Sequence, residues 1–309
     1  MPEDARTPAT DPARPHRGTI FVEDAELLDI EAWPGEQFIM RLVAPKCAAR
    51  ARPGSFVHLN CDSALPMRRP LSLMRADPGS GVIEILFKIV GEGLRLLSRR
   101  RPGDRISVLG PIGQPFTPSA ARSRPLLVGG GVGIPPMVFL AESLAEQGGT
   151  GSAPLVLMGS EVPFPFALAE SRLPLEGLPA GVTAAMPLLE NLGVPSRLAS
   201  GAGFAGCYRG FVTELGREWL RSLDAASLAQ VEIFACGPTP MLRAAAALAR
   251  DFGLPCQVSL EEYMACAVGG CAGCTVRINT PTGPAMKRVC VDGPVFDAAS
   301  VAWEAMPTH

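Results

Sequence analysis

The sequence predicts three successive units: an antiparallel β-barrel, an α/β unit built on a parallel sheet, and a small β unit carrying cysteines at the C-terminal end. Three observations predict this. Short apolar stretches cut by Pro and Gly fill the first third, several alternating with period two as barrel strands do. From Arg124 strand-like and helix-like stretches alternate, which implies a parallel sheet with crossovers. After Pro255 a glycine-rich stretch, CAVGGCAGC, places Cys266, Cys271 and Cys274 within nine residues. The boundaries fall at residues 19–120, 121–255 and 256–309, with residues 1–18 a solvated tail of charges and prolines.

The 309 residues are 47% hydrophobic, so sizeable cores form and wholesale disorder is excluded. A net charge of −2 excludes the basic face of a nucleic-acid binder. The uncharged stretch PLLVGGGVGIPPMVFLA, Pro125 to Ala141, is interrupted by glycines and prolines. It is shorter than the roughly 20 residues of a spanning helix, so no membrane segment is expected. The N-terminus has no apolar signal region, and the chain is expected to be cytoplasmic. Disulfides are therefore not expected among the nine cysteines. Cys47, Cys61, Cys207, Cys236 and Cys256 read mostly as small buried residues, and the C-terminal cluster as metal ligands.

In the first unit QFIMRLVAP, GSFVHLNC, GVIEILFKIVG and DRISVLGPIG read as strands, and LRLLSRR (Leu94–Arg100) as a helical turn. In MRRPLSLM, Arg69 stands beside a proline-fixed backbone and the Ser72 hydroxyl, a set that suits a phosphate and a flavin edge; the alternative is a surface charge on a strand. KIVGEGL offers backbone amides to the same pyrophosphate. In the second unit RPLLVGGG is a buried strand opening onto a glycine loop, and PPMVFLAESLAEQG a helix with Gly148 near its end. APLVLMGS is another strand, GFVTELGREWLRSL a turn and helix, and QVEIFACGPTPMLRAAAALARDFG strand, loop and helix. Gly129, Gly130, Gly131 and Gly133 would let a dinucleotide pyrophosphate rest on helix N–H groups. The dinucleotide consensus ends in Gly where GVGIPP ends in Pro, so an ordinary tight turn stands as the alternative. Cys236, Gly237 and Pro238 form a second loop at the same carboxyl edge, where ligands of open α/β sheets bind.

The cysteine spacing is C-x4-C-x2-C, then fifteen residues to Cys290, the spacing of a plant-type [2Fe–2S] centre. Gly269, Gly270 and Gly273 are expected to take positive φ and bring backbone N–H groups close to cluster sulfides. CTVRINT and MKRVCVDG read as strands around a PTGP turn, with Cys290 on the second strand. Zinc, which favours two paired CxxC knuckles, and unliganded packing are the alternatives.

Taken in order, RRPLS, GEGL, LLVGGGVGIPP, CGP and the cysteine loop resemble the ferredoxin–NADP reductase superfamily with a C-terminal [2Fe–2S] domain. SLEEYMACAVGGCAGC and VCVDGPVFDA look more closely like the electron-transfer subunits of class 1B dihydroorotate dehydrogenases, and the resemblance covers about Thr19 to Ala298. It implies an FAD barrel with contacts at Arg69, Pro70, Leu71, Ser72, Leu86, Phe87, Lys88, Gly93 and Leu94, an NAD(H) domain, and cluster ligation by Cys266, Cys271, Cys274 and Cys290. It also implies a partner, an FMN-containing dihydroorotate dehydrogenase barrel, in a heterotetramer of two chains each. The chain departs from the family at Leu94, usually Thr, at Tyr263, usually Arg, and at Ala267, usually Gly.

Nothing in the sequence resembles an acid–base set for a pyrimidine. His16, His58 and His309 are isolated, and no catalytic residue is assigned. The expected role is an electron relay in pyrimidine biosynthesis: partner FMN, cluster, FAD, NAD⁺. A diaphorase subunit of an NADH-dependent ferredoxin:NADP oxidoreductase or a sulfur-reducing hydrogenase would share every motif. A non-enzymatic iron–sulfur redox sensor is the reading from another class, favoured only by Leu94.

Overall fold

The structure, a computed structural model, describes residues 18–147 and 152–306. Residues 1–17 of the expected tail, with His16, lie outside the described residues, as do Gly148 and His309. The first unit is a closed antiparallel barrel of β1 (Phe21–Trp33), β2 (Gln37–Val43), β3 (Phe56–Leu59), β4 (Arg69–Asp77), β5 (Val82–Lys88) and β6 (Arg105–Ile112), in the order β1-β2-β5-β4-β3-β6. Two short helices belong to it, α1 (Pro45–Ala48) and α2 (Gly91–Leu97). Alternation does the sorting. Met40 and Leu42 on β2, Val57 and Leu59 on β3, and Ile83, Ile85 and Phe87 on β5 point inward and are almost wholly buried. Each such side chain stabilises the barrel by roughly 1.5–3 kcal/mol. Leu94 and Leu97 of α2 join this same core. The helix begins at Gly91, three residues before the expected turn, so GEGL forms its first turn.

The central sheet has the order β11-β8-β7-β12-β13-β16. Its strands are β7 (Arg124–Gly130), β8 (Leu155–Gly159), β11 (Ser196–Ala199), β12 (Val231–Cys236), β13 (Cys256–Ser259) and β16 (Val295–Asp297). The first five run parallel and β16 antiparallel. Helices α3 (Ile134–Glu146), α4 (Pro187–Asn191), α5 (Val212–Ser222), α6 (Ala225–Leu228) and α7 (Thr239–Phe252) flank it or cap its loops, and β9 (Ala169–Glu170) pairs with β10 (Ala184–Ala185) in a two-stranded ribbon. The hairpin β14 (Thr275–Thr280) and β15 (Gly283–Arg288) carries the cysteine region.

The sheet runs past the expected 255/256 boundary. Cys256–Ser259 pairs with β12, and Val295–Asp297 returns to pair with β13. The cysteine hairpin is thus a loop-out between two neighbouring strands of the central sheet. The barrel is locked to the same sheet by the Arg75 guanidinium of β4, whose Nε donates to both carboxylate oxygens of Glu142 on α3 at 3.0 Å. Among the described residues no helix is long and apolar enough to cross a membrane.

Candidate functional site: a flavin slot, a nicotinamide edge and a cysteine cage

The barrel wall opens where the sequence places its flavin motifs. The β4–β5 ladder runs from Asp77↔Val82 to Leu73↔Ile85 and stops there. Beyond that point Arg69–Ser72 pair only with β3, and Leu86–Lys88 only with β2. The two expected contact strings therefore form the two lips of a slot, each with backbone groups unused on the facing side. Pro70, which lacks an N–H, costs no ladder bond on that open side. The first turn of α2 stands at one end. A methyl group on Gly93 would lie 3.0 Å from Arg69 Nε and 3.2 Å from Cζ, so glycine there lets the guanidinium lie against the helix. Arg69 Nη1 donates to the Met67 and Arg68 carbonyls at 2.9 and 3.2 Å, which fixes the fork without a carboxylate partner among the described residues. A held cation beside helix N–H groups suits a pyrophosphate. The Leu86, Phe87 and Leu94 side chains are buried, so these three would serve a flavin through their backbone. Leu94, the one residue that favoured the redox-sensor reading, is a core residue of the barrel.

At the carboxyl edge of the sheet the two glycine loops abut. Gly133 ends the turn between β7 and α3, and a methyl there would stand 2.2 Å from the Cys236 carbonyl oxygen. A methyl on Gly130 would meet Met241 Sδ at 2.4 Å and Pro238 Cδ at 3.4 Å. Gly131 has φ 54°, which favours glycine. Pro135 and Pro136 occupy the first turn of α3, where missing N–H groups leave the helix intact but remove phosphate donors. The Gly-to-Pro departure from the consensus is therefore compatible with the helix. Cys236 is wholly buried, and burial pushes its thiol well up. It contributes packing and its carbonyl rather than a thiolate.

The cysteine cage hangs below. Cys274 immediately precedes β14, and Cys290 lies in the turn two residues past the end of β15, not on the strand as expected. The strand ends at Arg288 because the backbone there turns back: Val291, Asp292 and Gly293 N–H groups all converge on the Arg288 carbonyl. That turn brings Cys290 Sγ to 3.3 Å from Cys274 Sγ. Cys266 and Cys271 form the second pair, with the Cys271 N–H donating to Cys266 Sγ at 3.4 Å. The Gly273 N–H donates to Cys271 Sγ at 3.4 Å. Of the three glycines expected at positive φ, only Gly269 is (80°); the other left-handed positions are Ala267 (56°) and Ala272 (53°). The alanine departure at 267 thus falls where glycine would relieve strain.

Burial raises the Cys266 thiol, but N–H donors of Val268, Cys271 and Gly270 outweigh it and bring it down to about 7. Burial pushes Cys290 up to about 12. Four thiols in two pairs, ringed by N–H donors, fit a centre with two irons, each taking two thiolates. No three Cys, His, Asp or Glu side chains among the described residues gather as one ion would require. Binding requires the thiolates, so assembly releases protons.

Sequence reasoning missed His58. Phe56 and His58 face out of β3 while Val57 and Leu59 face in, and His58 is wholly buried with neither ring nitrogen in full hydrogen-bonding geometry with a described residue. Burial first, then the Arg68 charge, lowers it to about 4, so it is neutral. Its strand stretch gave no sign of this, because the covering layer comes from other units. Arg75 and Glu142 were missed for the same reason: they are 67 positions apart.

A split flavin barrel, a parallel sheet with paired loops and a cysteine cage define a flavin- and nicotinamide-linked reductase carrying an iron–sulfur centre. Residues 261–302 match the model of the iron–sulfur cluster binding domain of dihydroorotate dehydrogenase B. The chain is 32% identical over 285 residues to the dihydroorotate dehydrogenase B (NAD(+)) electron transfer subunit of Desulforamulus reducens, covering 92% of this chain and 99% of that one. It is 37% identical over 254 residues to the subunit of the same name from Geobacillus sp., covering 81% and 86%. The solved structure of an NADH-dependent reduced ferredoxin-NADP oxidoreductase is similar at TM-score 0.73 and 27% identity, covering 91% of both chains. A ferredoxin reductase of carbazole 1,9a-dioxygenase shares the fold at TM-score 0.58 and 21% identity. The chain belongs to the family of dihydroorotate dehydrogenase B electron transfer subunits.

Proposed function

We propose that this chain carries electrons between a dihydroorotate-oxidising partner and NAD⁺. One observation carries the reading: the cage packs on the barrel strand that backs the flavin lip. Phe56, which pairs with Ser72 on the flavin lip, lies in the same buried cluster as Ala267, Cys274 and Cys290. The Gln114 N–H just beyond β6 donates to the Gly293 carbonyl at 2.6 Å, fixing the cage turn against the barrel. When bound, FAD exchanges electrons singly with a [2Fe–2S] cluster and in pairs with a nicotinamide.

The residues supply binding and orientation. Arg69 and the α2 first turn hold the FAD pyrophosphate, and the lips Arg69–Ser72 and Leu86–Lys88 hold the ring through backbone groups. Gly129, Gly130, Gly131 and Gly133, with Cys236, Gly237 and Pro238, form the floor for NAD(H). Cys266 and Cys271 hold one iron; Cys274 and Cys290 hold the other. Cys271 is exposed, which gives an outside redox group a short approach to the cage. His58 is sealed in neutral form and serves no substrate proton. The pyrimidine chemistry therefore belongs to a partner chain, an FMN-bearing dihydroorotate dehydrogenase barrel, in an assembly of two chains each.

The test is co-expression with that barrel and measurement of dihydroorotate-dependent NAD⁺ reduction, with mass determination of the complex. This chain alone should oxidise NADH with artificial acceptors and leave dihydroorotate untouched. Dihydroorotate oxidation by this chain alone would overturn the division of labour. The similarity at TM-score 0.73 to the ferredoxin-NADP oxidoreductase favours, as a second reading, a diaphorase subunit of that kind. Failure to assemble with the dehydrogenase barrel, together with NADH-dependent ferredoxin reduction, would select it.

A further inference from the structure

The cage is closed by a residue that is not one of its ligands. The nine-residue loop Cys266–Cys274 is held against the Cys290 turn at its far end by the Cys274 carbonyl, which accepts from the Val289 N–H at 2.9 Å, and at its middle by the Gly269 carbonyl, which accepts from Arg288 Nη1 at 3.1 Å. Glycine is required there on two counts. Its φ is 80°, and a methyl would meet Val291 Cγ2 at 2.6 Å and Arg288 Nη1 at 3.2 Å. Arg288 also organises the opposite side. Its carbonyl gathers the N–H groups of Val291, Asp292 and Gly293 at 3.1, 2.8 and 3.3 Å, which is the turn that carries Cys290. Its own N–H donates to Asp292 Oδ2 at 2.8 Å, and its Nε lies 3.5 Å from that oxygen, so the carboxylate aims the guanidinium. One residue therefore fixes the Cys290 half of the cage by its backbone and the Cys266–Cys271 half by its side chain.

Hydrogen bonds to ligand sulfurs and nearby positive charge both favour the more negative, reduced cluster. Arg288 supplies the charge itself and, through the Gly269 carbonyl, holds the loop in which the Cys271 and Gly273 N–H groups donate to ligand sulfurs at 3.4 Å.

We propose that Arg288 is the positioning residue of the cage and sets the potential at which its cluster accepts an electron. The inference rests on the cluster reading above, and the experiment separates the two. Arg288→Gln keeps a donor for the Gly269 carbonyl and loses the charge; Arg288→Lys keeps the charge and loses the rigid fork. Arg277→Gln, an exposed arginine on the same hairpin, is the control with equal net charge. Each variant is purified anaerobically with flavin bound. Iron is counted, and the midpoint potential of the loaded cluster is read by spectroelectrochemical titration with electron paramagnetic resonance.

In Arg288→Gln the reduction equilibrium should fall about tenfold, a 59 mV shift to lower potential for one electron. Arg288→Lys should fall by less, with a broadened resonance from a loosened loop, and Arg277→Gln should match wild type. Wild-type potentials in iron-loaded Arg288→Gln and Arg288→Lys would overturn the proposal. So would an equal shift in Arg277→Gln, which would make the effect one of net charge. Should Arg288→Gln hold too little iron to titrate, Arg288→Lys decides: a lowered potential supports the proposal and an unchanged one overturns it. Wild-type protein without iron would instead sink the cluster reading itself.

Discussion

Gly133 is the point where the two loops proposed as the nicotinamide floor touch, and an added methyl group reports on both. In Gly133→Ala the new Cβ would stand 2.2 Å from the Cys236 carbonyl oxygen, 2.3 Å from its carbon and 2.4 Å from the Gly237 nitrogen. Real contacts of this kind do not fall below 3.0 Å, so the loops must part by about 0.8 Å, and protein interiors do not supply such slack. Every atom met is backbone, and Cys236 is fully buried at the end of a central strand, so no flexible side-chain end can swing aside. Overpacking of this kind costs roughly 1–3 kcal/mol. The displacement falls on the surface assigned to NAD(H), so the substitution should weaken NADH binding by at least about tenfold, or 1.4 kcal/mol. The assay is NADH titration of the flavin-loaded variant by fluorescence, with KM in dye reduction, iron content and thermal unfolding alongside. Iron content should not change. The contrasting variant is Gly131→Ala, at φ 54° with nothing within 4 Å of the added methyl. It should meet only backbone strain of about 1–2 kcal/mol. NADH affinity and thermal stability of Gly133→Ala both equal to wild type would refute the argument.

Three further outcomes are expected. Arg69→Ala removes a charge-assisted phosphate contact of roughly 1.5–3 kcal/mol and should weaken FAD binding about ten- to a hundred-fold, read as flavin retained after dialysis. Cys274→Ala should lose the cluster, measured as iron and visible absorption, whereas Cys47→Ala should keep it, because Cys47 is buried in the barrel core with its thiol pushed up to about 12. His58 is held neutral down to about 4, against 6.5 in an unfolded chain, so the unfolded state takes up a proton that the folded state refuses. Stability should therefore be unaffected above about 6.5, fall as the pH drops toward about 4, and lose that slope in His58→Gln, as denaturant titrations across this range will register.

What the sequence disclosed follows from which forces act locally. The cysteine spacing was readable because a cluster held by four thiolates would impose it, and β2, β3, β5 and β6 because their alternation is strong. β1 was not among the expected strands: Glu23, Asp24, Glu26, Asp29 and Glu31 crowd it with charge, and only Ala25 and Leu27 are fully buried. β13 and β16, four and three residues long, carry too little pattern to be seen. The end of β15 was misjudged because MKRVCV continues to look like a strand, while the Arg288 and Asp292 hydrogen bonds that turn it are specified at single positions. The slot between β4 and β5 is a property of ladder length, which no single strand records. His58 and the Arg75–Glu142 lock depend on neighbours distant in sequence, and nothing local could announce them.

The hairpin that bears the cage leaves the central sheet at β13 and rejoins it at β16, the strand next door. A domain tied on by one linker can swing, be exchanged between copies, or be clipped off whole. This one is a bridge with both abutments in the same sheet. A cluster held there would be fixed in place, so a partner would come to it, and its gap to the proposed flavin slot would be set when the chain folds. Cleavage near residue 256 would remove two strands from the floor under the nicotinamide loops along with the cysteines, so relay and reductase are expected to be lost together. Loss of iron should be felt at that sheet edge, as faster amide exchange in β13 and β16 than in β7 and β8.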